Sequence, residues 1–305
     1  MQESKAVLSY TTSLSPKDET VTTETSEAVR AACRARRWAL IVPREHGAWG
    51  LLLVPLFTGV AAGMASAPRL WPLLAFTIAA LSLFWLRTPI ESLTGTSPLT
   101  AHTSQEWWTA FLASVLLSGI SVACLTGLMW KGRNLELLLF GTVAGVAFVA
   151  QAVFRRLGRR ARMAAQLVGI IGLTCTAPAA YYIGTGRLSE RAFVLWAANW
   201  VFAGNQIHFV QLCIHSSRAV RFSERFARGR VFFLAQPALL AVLVVAALLR
   251  AVSPFMIFAF VPALVRGTRW FFRQSEPLNV KSLGWSEMKQ GVMFGILLAI
   301  AFIWS

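Results

Sequence analysis

The chain has 305 residues, of which 56% are hydrophobic and 14% are charged, and its mean hydropathy is +0.59. Soluble domains carry roughly 25% charged residues, and here the apolar residues form long blocks without amphipathic spacing, so an integral membrane protein is predicted and a soluble fold is excluded. The net charge of +16 comes from Lys and Arg in short segments between the blocks, which is typical of contact with anionic lipid and not with nucleic acid.

The N-terminal segment is rich in Ser, Thr and Glu and has few bulky apolar residues. Such a segment cannot bury enough surface to fold, and it lacks the apolar core of a signal peptide. We therefore predict a disordered cytoplasmic tail over residues 1–37 and a transmembrane helical domain over residues 38–305. The four cysteines are widely separated, which favours neither disulfides nor a thiolate metal site. No metal and no cofactor are predicted.

Nine apolar blocks follow the tail, and most approach the roughly 20 residues that a helix needs to cross a bilayer. Their length and uniform apolarity favour helices over the strands of a barrel. The sequence thus predicts an all-α, polytopic transmembrane helix bundle of about nine spans. The blocks comprise residues 47–66, 70–87, 109–130, 135–154, 163–183, 192–213, 231–249, 251–266 and 289–304.

Basic residues are distributed very unevenly when the nine blocks alternate in direction. One side of the membrane receives 23 of the 29 Lys and Arg, and the positive-inside rule identifies that side as the cytoplasm. The N-terminus is then cytoplasmic and the C-terminus lies outside. The cytoplasmic connections, 88–108, 214–230 and 267–288, are the longer ones, so binding residues are expected at the cytoplasmic face.

The sixth block carries the densest set of polar residues, and four of them share about one third of the helix circumference. This face should point into the bundle, either to form interhelical hydrogen bonds or to line a polar cavity. A metal or haem site on its two histidines is a third interpretation, weakened by their separation of two helical turns. The residues of this face are Asn205, His208, Gln211 and His215.

Ionisable pairs stand at the predicted cytoplasmic ends of the first two blocks. Glu45 and His46 precede the first span, either as an ordinary helix start or as a polar gate to a cytoplasmic cavity. Arg87 and Glu91 have the spacing of a helical ion pair, although Pro89 between them can interrupt a helix. This second pair is either an interfacial anchor or part of the same cavity.

Five arginines lie between residues 155 and 162, after the fourth block. The run is typical of a positive-inside loop, and its guanidinium groups also suit a phosphate or diphosphate. Arg155 and Arg156 are therefore candidate head-group ligands. No acidic residue falls deep within a predicted block, which argues against proton-coupled transport.

The entry into the first span resembles that of the YwiC-like bacterial membrane proteins. The similarity lies in Arg44-Glu45-His46-Gly47-Ala48-Trp49, followed by Pro55 and Gly59, and we expect it to extend over residues 40–305. It implies a multi-pass protein of the bacterial inner (plasma) membrane and no particular activity.

A more distant resemblance is to the UbiA-type intramembrane prenyltransferases, which have nine helices and a cavity open to the cytoplasm. Arg44, Pro55, Gly59 and the run Gln166-Leu167-Val168-Gly169 are similar to the pattern of that family. The resemblance implies a UbiA-like arrangement of helices. Where those enzymes hold Mg²⁺ and a prenyl diphosphate with two Asp-rich motifs, this chain retains a single carboxylate, Glu91, so magnesium-dependent prenyl transfer is not predicted.

Three functions are compatible with these patterns. The favoured one is binding of an isoprenoid or another anionic amphipathic ligand in a cytoplasm-facing cavity, with membrane lipid as a further partner and no catalytic residue assigned. The alternatives are a small-solute or ion transporter, with helices broken at Pro55, Pro178 and Pro262, and a non-catalytic subunit of a membrane complex. The candidate ligand-binding residues are Glu45, His46, Arg87, Glu91, Arg155, Arg156, Asn205, His208 and Gln211.

Overall fold

The computed structural model describes residues 30–42, 46–66, 69–96, 99–132, 136–158, 161–216, 221–272 and 279–304. Within these ranges all regular structure is helical, which confirms the predicted polytopic helical bundle. The helices are α1 (30–41), α2 (His46–Ser66), α3 (Leu70–Leu93), α4 (Ser104–Gly132), α5 (Leu137–Arg156), α6 (Arg162–Thr174), α7 (Thr176–Thr185), α8 (Glu190–His215), α9 (Phe222–Leu248), α10 (Phe255–Phe272) and α11 (Val280–Ile303).

Eight segments of the described chain are long and apolar enough to cross a bilayer: α2, α3, α4, α5, the pair α6–α7, α9, α10 and α11. The sixth predicted block is α8, whose 26 residues reach about 39 Å, although its Asn, Gln and His residues make it more polar than the other spans. Helices α4, α5 and α9 expose most of their apolar side chains, as lipid contact requires. Trp71, Trp130 and Trp304 are strongly exposed near helix ends, as in the aromatic belts of membrane proteins.

Several helices extend beyond the apolar blocks, so the predicted lengths of the cytoplasmic loops are wrong. Helix α3 continues to Leu93 and α4 begins at Ser104, while α11 begins at Val280. The apolar block reports only the hydrocarbon core, whereas the helical backbone continues into the head-group layer. At α11 the start is set by Asn279, whose side chain accepts a hydrogen bond from the Ser282 amide at 3.1 Å.

Of the three prolines predicted to break helices, Pro178 alone lies beside a break. Helix α2 runs through Pro55 and α10 runs through Pro262, so the prediction is wrong at these two positions. The chain between α6 and α7 is interrupted at Cys175. Pro178 has no amide hydrogen to donate to the carbonyl of Thr174, four residues earlier, which explains the interruption.

Contacts divide the described chain into two compact units. The first unit contains α1 and residues 85–116, which comprise the end of α3, the connection to α4 and the first turns of α4. The second unit contains residues 46–84 and 117–304, with most of the membrane-spanning helices.

A hydrogen bond and an ion pair attach helix α1 to other residues of the first unit. Trp85 Nε1 donates a hydrogen bond to the Ile41 carbonyl at 2.9 Å, and Arg36 Nε lies 2.6 Å from Glu106 Oε1. Residues 30–37 of the predicted disordered tail are therefore helical, while residues 1–29 lie outside the described residues.

A capping box starts α4 and holds Glu106 in place for this ion pair. The Thr103 hydroxyl accepts a hydrogen bond from the Glu106 amide at 3.2 Å, and the Glu106 carboxylate accepts one from the Thr103 amide at 3.4 Å. The same carboxylate accepts a bond from the His102 amide at 2.9 Å. Glu106 is buried, so its negative charge is stabilised by both the helix start and Arg36.

We predict that Glu106→Gln loosens α1, because the amide keeps an acceptor for the cap and loses the charge that holds Arg36. Arg36 is 47% exposed, so the loss is roughly 1 kcal/mol after solvent screening. Trypsin should then cut after the arginines of α1 roughly fivefold faster in bilayer nanodiscs. The exposed neighbour Gln105 supplies the control, since Gln105→Ala should leave the cleavage rate unchanged. Equal rates in the two variants would contradict this role for Glu106.

The closest helix crossing in the second unit joins α2 to α7 through small residues. A Cβ atom added to Gly59 would lie 2.3 Å from the Ala177 carbonyl oxygen, and one added to Gly184 would lie 2.7 Å from the Gly63 Cα. Gly59 and Gly63 form the G-x-x-x-G spacing that lets transmembrane helices approach backbone to backbone. The two helices therefore pack in direct contact.

Aromatic rings and one buried hydrogen bond hold α8 against its neighbours. Phe202 stacks on Phe294 of α11 with ring centroids 3.7 Å apart, and Phe260 of α10 meets Phe294 edge-on at 5.1 Å. Asn199 Nδ2 donates to the Thr58 hydroxyl of α2 at 3.0 Å. These contacts fix the position of α8, whose last turns contribute to the candidate site.

Candidate functional site

A cleft of about 250 Å³ lies in the second unit, where the first turns of α2 and α6 and the first half of α11 meet the last turns of α8. Most of its lining is apolar. We refer to it as the glutamine cleft, because its polar residues are three glutamines and one glutamate. It is lined by Gly47, Gly50, Leu51, Gln166, Gln206, Ile207, Val210, Gln211, Ile214, Val280, Leu283, Gly284, Glu287, Met288 and Gly291.

The carboxamides of the glutamine cleft are held by hydrogen bonds between helices. Gln211 Nε2 donates to Gln166 Oε1 at 3.2 Å, and Gln206 Nε2 donates to the backbone carbonyl of Glu287 at 3.0 Å. Each carboxamide carries two donor hydrogens and an acceptor oxygen, so these bonds orient the side chains and leave hydrogen-bonding capacity for a ligand. Side chains already fixed in this way lose little entropy when a ligand binds.

Glycines keep the cleft open on two of its walls. A Cβ atom added to Gly50 or to Gly284 would have no atom within 4 Å. Both positions therefore face empty space, and a larger side chain at either one would enter that space without a clash at its Cβ.

A buried ion pair lies beside the cleft, between α10 and α11. Arg266 Nη1 donates to Glu287 Oε1, and the guanidinium carbon lies 4.2 Å from the ring centroid of Phe209. Both charged side chains are almost nine-tenths buried. Arg266 Nε and Nη2 and Glu287 Oε2 are buried without a hydrogen-bond partner, so the pair is neutralised in charge and incompletely satisfied in hydrogen bonding.

The sequence places Glu287 in the 267–288 loop, but α11 begins at Val280 and includes this residue two turns from the helix start. Its partner Arg266, likewise expected at a loop edge, lies inside α10. An acidic residue is therefore present inside a helix that is long and apolar enough to span a membrane, near the start of that helix.

The polar face predicted for the sixth span divides between two neighbours. Gln211 lines the glutamine cleft as described above. Asn205 instead exchanges hydrogen bonds with Gln236 of α9, with Gln236 Nε2 3.0 Å from Asn205 Oδ1, and His208 packs edge-on against Phe232 with centroids 5.2 Å apart. Interhelical bonding and a cavity wall, stated above as alternatives, thus both occur on one helix.

Of the remaining predicted residues, those that the structure describes are not among the residues that line the cleft. Arg87 and Glu91 belong to the first unit, where Arg87 Nε lies 2.8 Å from Glu91 Oε1 and α3 continues unbroken through Pro89. Arg155 and Arg156 are exposed at the end of α5. Glu45 and the side chain of His46 lie outside the described residues.

Comparison with known proteins finds a family similarity over part of this chain. The family model for the YwiC-like protein matches residues 42–181. This part of the chain is similar to the YwiC-like proteins. The resemblance expected over residues 40–305 is thereby confirmed from the first span to α7, a region that includes Gly50 and Gln166 of the glutamine cleft.

No curated protein and no solved structure matches the chain. The UbiA-like arrangement of helices therefore stays a prediction from sequence. Gln206, Gln211 and Glu287 follow the YwiC-like region along the chain, so the glutamine cleft is assembled from this region and the helices that come after it.

Proposed function

We propose that this multi-pass membrane protein binds an amphipathic, lipid-like molecule in the glutamine cleft. The observation that carries the proposal is the convergence of Gln166, Gln206, Gln211 and Glu287 in an otherwise apolar cleft at one end of the bundle. The head group would bind among the carboxamides, and the apolar chain would extend between the helices. In the orientation proposed from the basic residues, the cleft opens to the cytoplasmic side of the inner (plasma) membrane.

The lining of the cleft favours an uncharged head group that both donates and accepts hydrogen bonds, such as the hydroxyl of an isoprenoid alcohol. None of the described residues that line it is basic, and a diphosphate would face the Glu287 carboxylate. We therefore propose an isoprenoid ligand, as predicted from the sequence, but with a neutral head group in place of the anionic one. A volume of about 250 Å³ accommodates a head group and the first carbons of its chain.

The predicted pair at the start of α2 also belongs to the proposal. Gly47 lines the cleft, and Glu45 and His46 immediately precede it in the chain. We keep these two residues as candidates for contact with the polar end of the ligand; Glu45 and the His46 side chain lie outside the described residues.

Binding is tested with the purified protein in nanodiscs, using fluorescent farnesol and farnesyl phosphate as probes. Farnesol should bind more tightly, and each of Gln206→Leu and Gln211→Leu should weaken it about tenfold, because each removes hydrogen bonds worth about 1.4 kcal/mol. Gln105→Leu, an exposed change outside the cleft, is the matched control. Tighter binding of the phosphate, or equal affinity in all variants, would reject the proposal.

A transporter is the second candidate, and the buried Arg266–Glu287 pair is the observation that favours it. Ionisable residues inside membrane helices mark ion or proton pathways in many transporters, and this pair adjoins the cleft. Proteoliposome uptake of small anions and cations with an imposed pH gradient tests it. Uptake that disappears in Glu287→Gln would support transport, and the absence of uptake for every solute would exclude it.

A further inference from the structure

Helix α1 carries an arginine face that the glutamine cleft does not explain. Arg30, Arg34 and Arg37 follow one another at intervals of four and three residues, which places them on the same side of a helix. Ala39, on the opposite side of the helix, is buried. Because Arg30 and Arg34 are exposed and Arg37 is half-buried, the face presents three guanidinium groups outward.

The attachments of α1 indicate the depth of this face relative to the membrane. Trp85, in the second half of one candidate span, donates a hydrogen bond to the Ile41 carbonyl, and Glu106, two residues after the start of the next span, pairs with Arg36. Because the ends of membrane spans lie at the head-group layer, these attachments are consistent with a position of α1 at the level of the lipid head groups.

An exposed tryptophan adds a second, independent sign of membrane contact. Trp38 follows Arg37 and is 61% exposed. Trp is enriched at membrane–water interfaces because its ring is apolar and its N–H is polar. An arginine face that ends in an exposed Trp has the composition of a helix lying in the interface plane.

We propose that the face formed by Arg30, Arg34 and Arg37 binds the phosphate groups of anionic phospholipids, with Trp38 inserted at the interface. Guanidinium groups form paired hydrogen bonds with phosphate oxygens. The contact stabilises α1 on the membrane surface and is separate from any ligand of the glutamine cleft. The interfacial depth and the charge of the face select lipid over a soluble partner.

The experiment measures binding of phosphatidylglycerol and phosphatidylcholine with identical chains to the full-length protein by native mass spectrometry. Wild type should bind the anionic lipid preferentially, and the triple variant R30Q/R34Q/R37Q should bind it about a hundredfold more weakly, since each basic residue near a membrane surface contributes about fivefold. Phosphatidylcholine binding should be the same in both proteins. The unfolding midpoint of the triple variant in detergent verifies that it is folded.

Two controls make the outcome specific to α1. The variant R187Q/R191Q/R250Q removes the same number of charges from arginines assigned to the opposite side of the membrane, and it should keep the preference for phosphatidylglycerol. Inorganic phosphate alone should not compete at the ionic strength used, because a free ion lacks the membrane surface. An unchanged preference in R30Q/R34Q/R37Q, an equal loss in the control variant, or competition by free phosphate would overturn the proposal.

Discussion

Replacing Gly59 by alanine is expected to destabilise the protein by about 3 kcal/mol, because the new Cβ would collide with backbone atoms of α7. Its distance to the Ala177 carbonyl oxygen would be 2.3 Å, and its distance to the Ala180 Cβ would be 2.9 Å. A backbone oxygen cannot rotate away as a flexible side chain can, so the two helices have to separate. The free energy of unfolding, measured by titration with SDS in mild detergent, reports the change.

Gly141 provides a control, because its replacement by alanine should change the free energy of unfolding in the opposite direction. It lies inside α5, and a Cβ added there would have no atom within 4 Å. Gly141→Ala should therefore stabilise the protein by up to about 1 kcal/mol through helix propensity alone. If Gly59→Ala and Gly141→Ala shift stability in the same direction, the close α2–α7 crossing is absent from the protein in detergent.

Glu287→Gln is expected to destabilise the protein by about 3 kcal/mol, because it leaves the buried Arg266 guanidinium without a counter-charge. The double variant R266L/E287L removes both charges and should recover most of that loss. A double-mutant cycle of the unfolding free energies of R266L, E287L and R266L/E287L isolates the coupling between the two residues. Additive effects of the single variants would show that the two residues do not interact.

The Arg87–Glu91 pair supplies the matched comparison for the buried pair. Its side chains are more exposed, at 19% and 24%, and pairs with this spacing on one helix contribute about 0.5 kcal/mol. Glu91→Gln should therefore have a several-fold smaller effect than Glu287→Gln. The difference between the two changes in unfolding free energy gives the cost of leaving a buried charge without its partner. The Glu91→Gln value alone gives the cost of removing a carboxylate from a more exposed pair.

The helical membrane fold could be predicted because lipid imposes a long apolar block on every span. The same rule fails at helix ends, where the composition becomes polar while the backbone stays helical. Glu287 falls in a predicted loop for this reason, although α11 includes it. Residues 30–37 fall in the predicted tail because their composition is polar, although they are helical. The ninth block held only residues 289–304, and its shortness was the signal that α11 begins earlier.

The candidate site was predicted only in part, because the contacts between helices depend on the fold. Helical periodicity identified the polar face of α8 that contains Asn205 and Gln211, but it could not assign Asn205 to Gln236 of α9 and Gln211 to Gln166 of α6. Gln206 lies off that face and is not among the residues predicted from the sequence. The close α2–α7 crossing has a visible signal in both helices, the G-x-x-x-G spacing of α2 and the small pair Ala180 and Gly184, four residues apart, in α7.

The most direct measurement of the central claim is photocrosslinking with a diazirine analogue of farnesol, mapped by peptide mass spectrometry in nanodiscs. Crosslinks should be concentrated in the peptides over residues 206–214 and 280–291, which contain 11 of the 15 residues that line the glutamine cleft. Gly50→Leu, which fills the cleft without a backbone clash, should abolish them while the protein stays folded. Labelling spread over the lipid-facing surfaces of α4 and α5, and unchanged by Gly50→Leu, would contradict a ligand in the cleft.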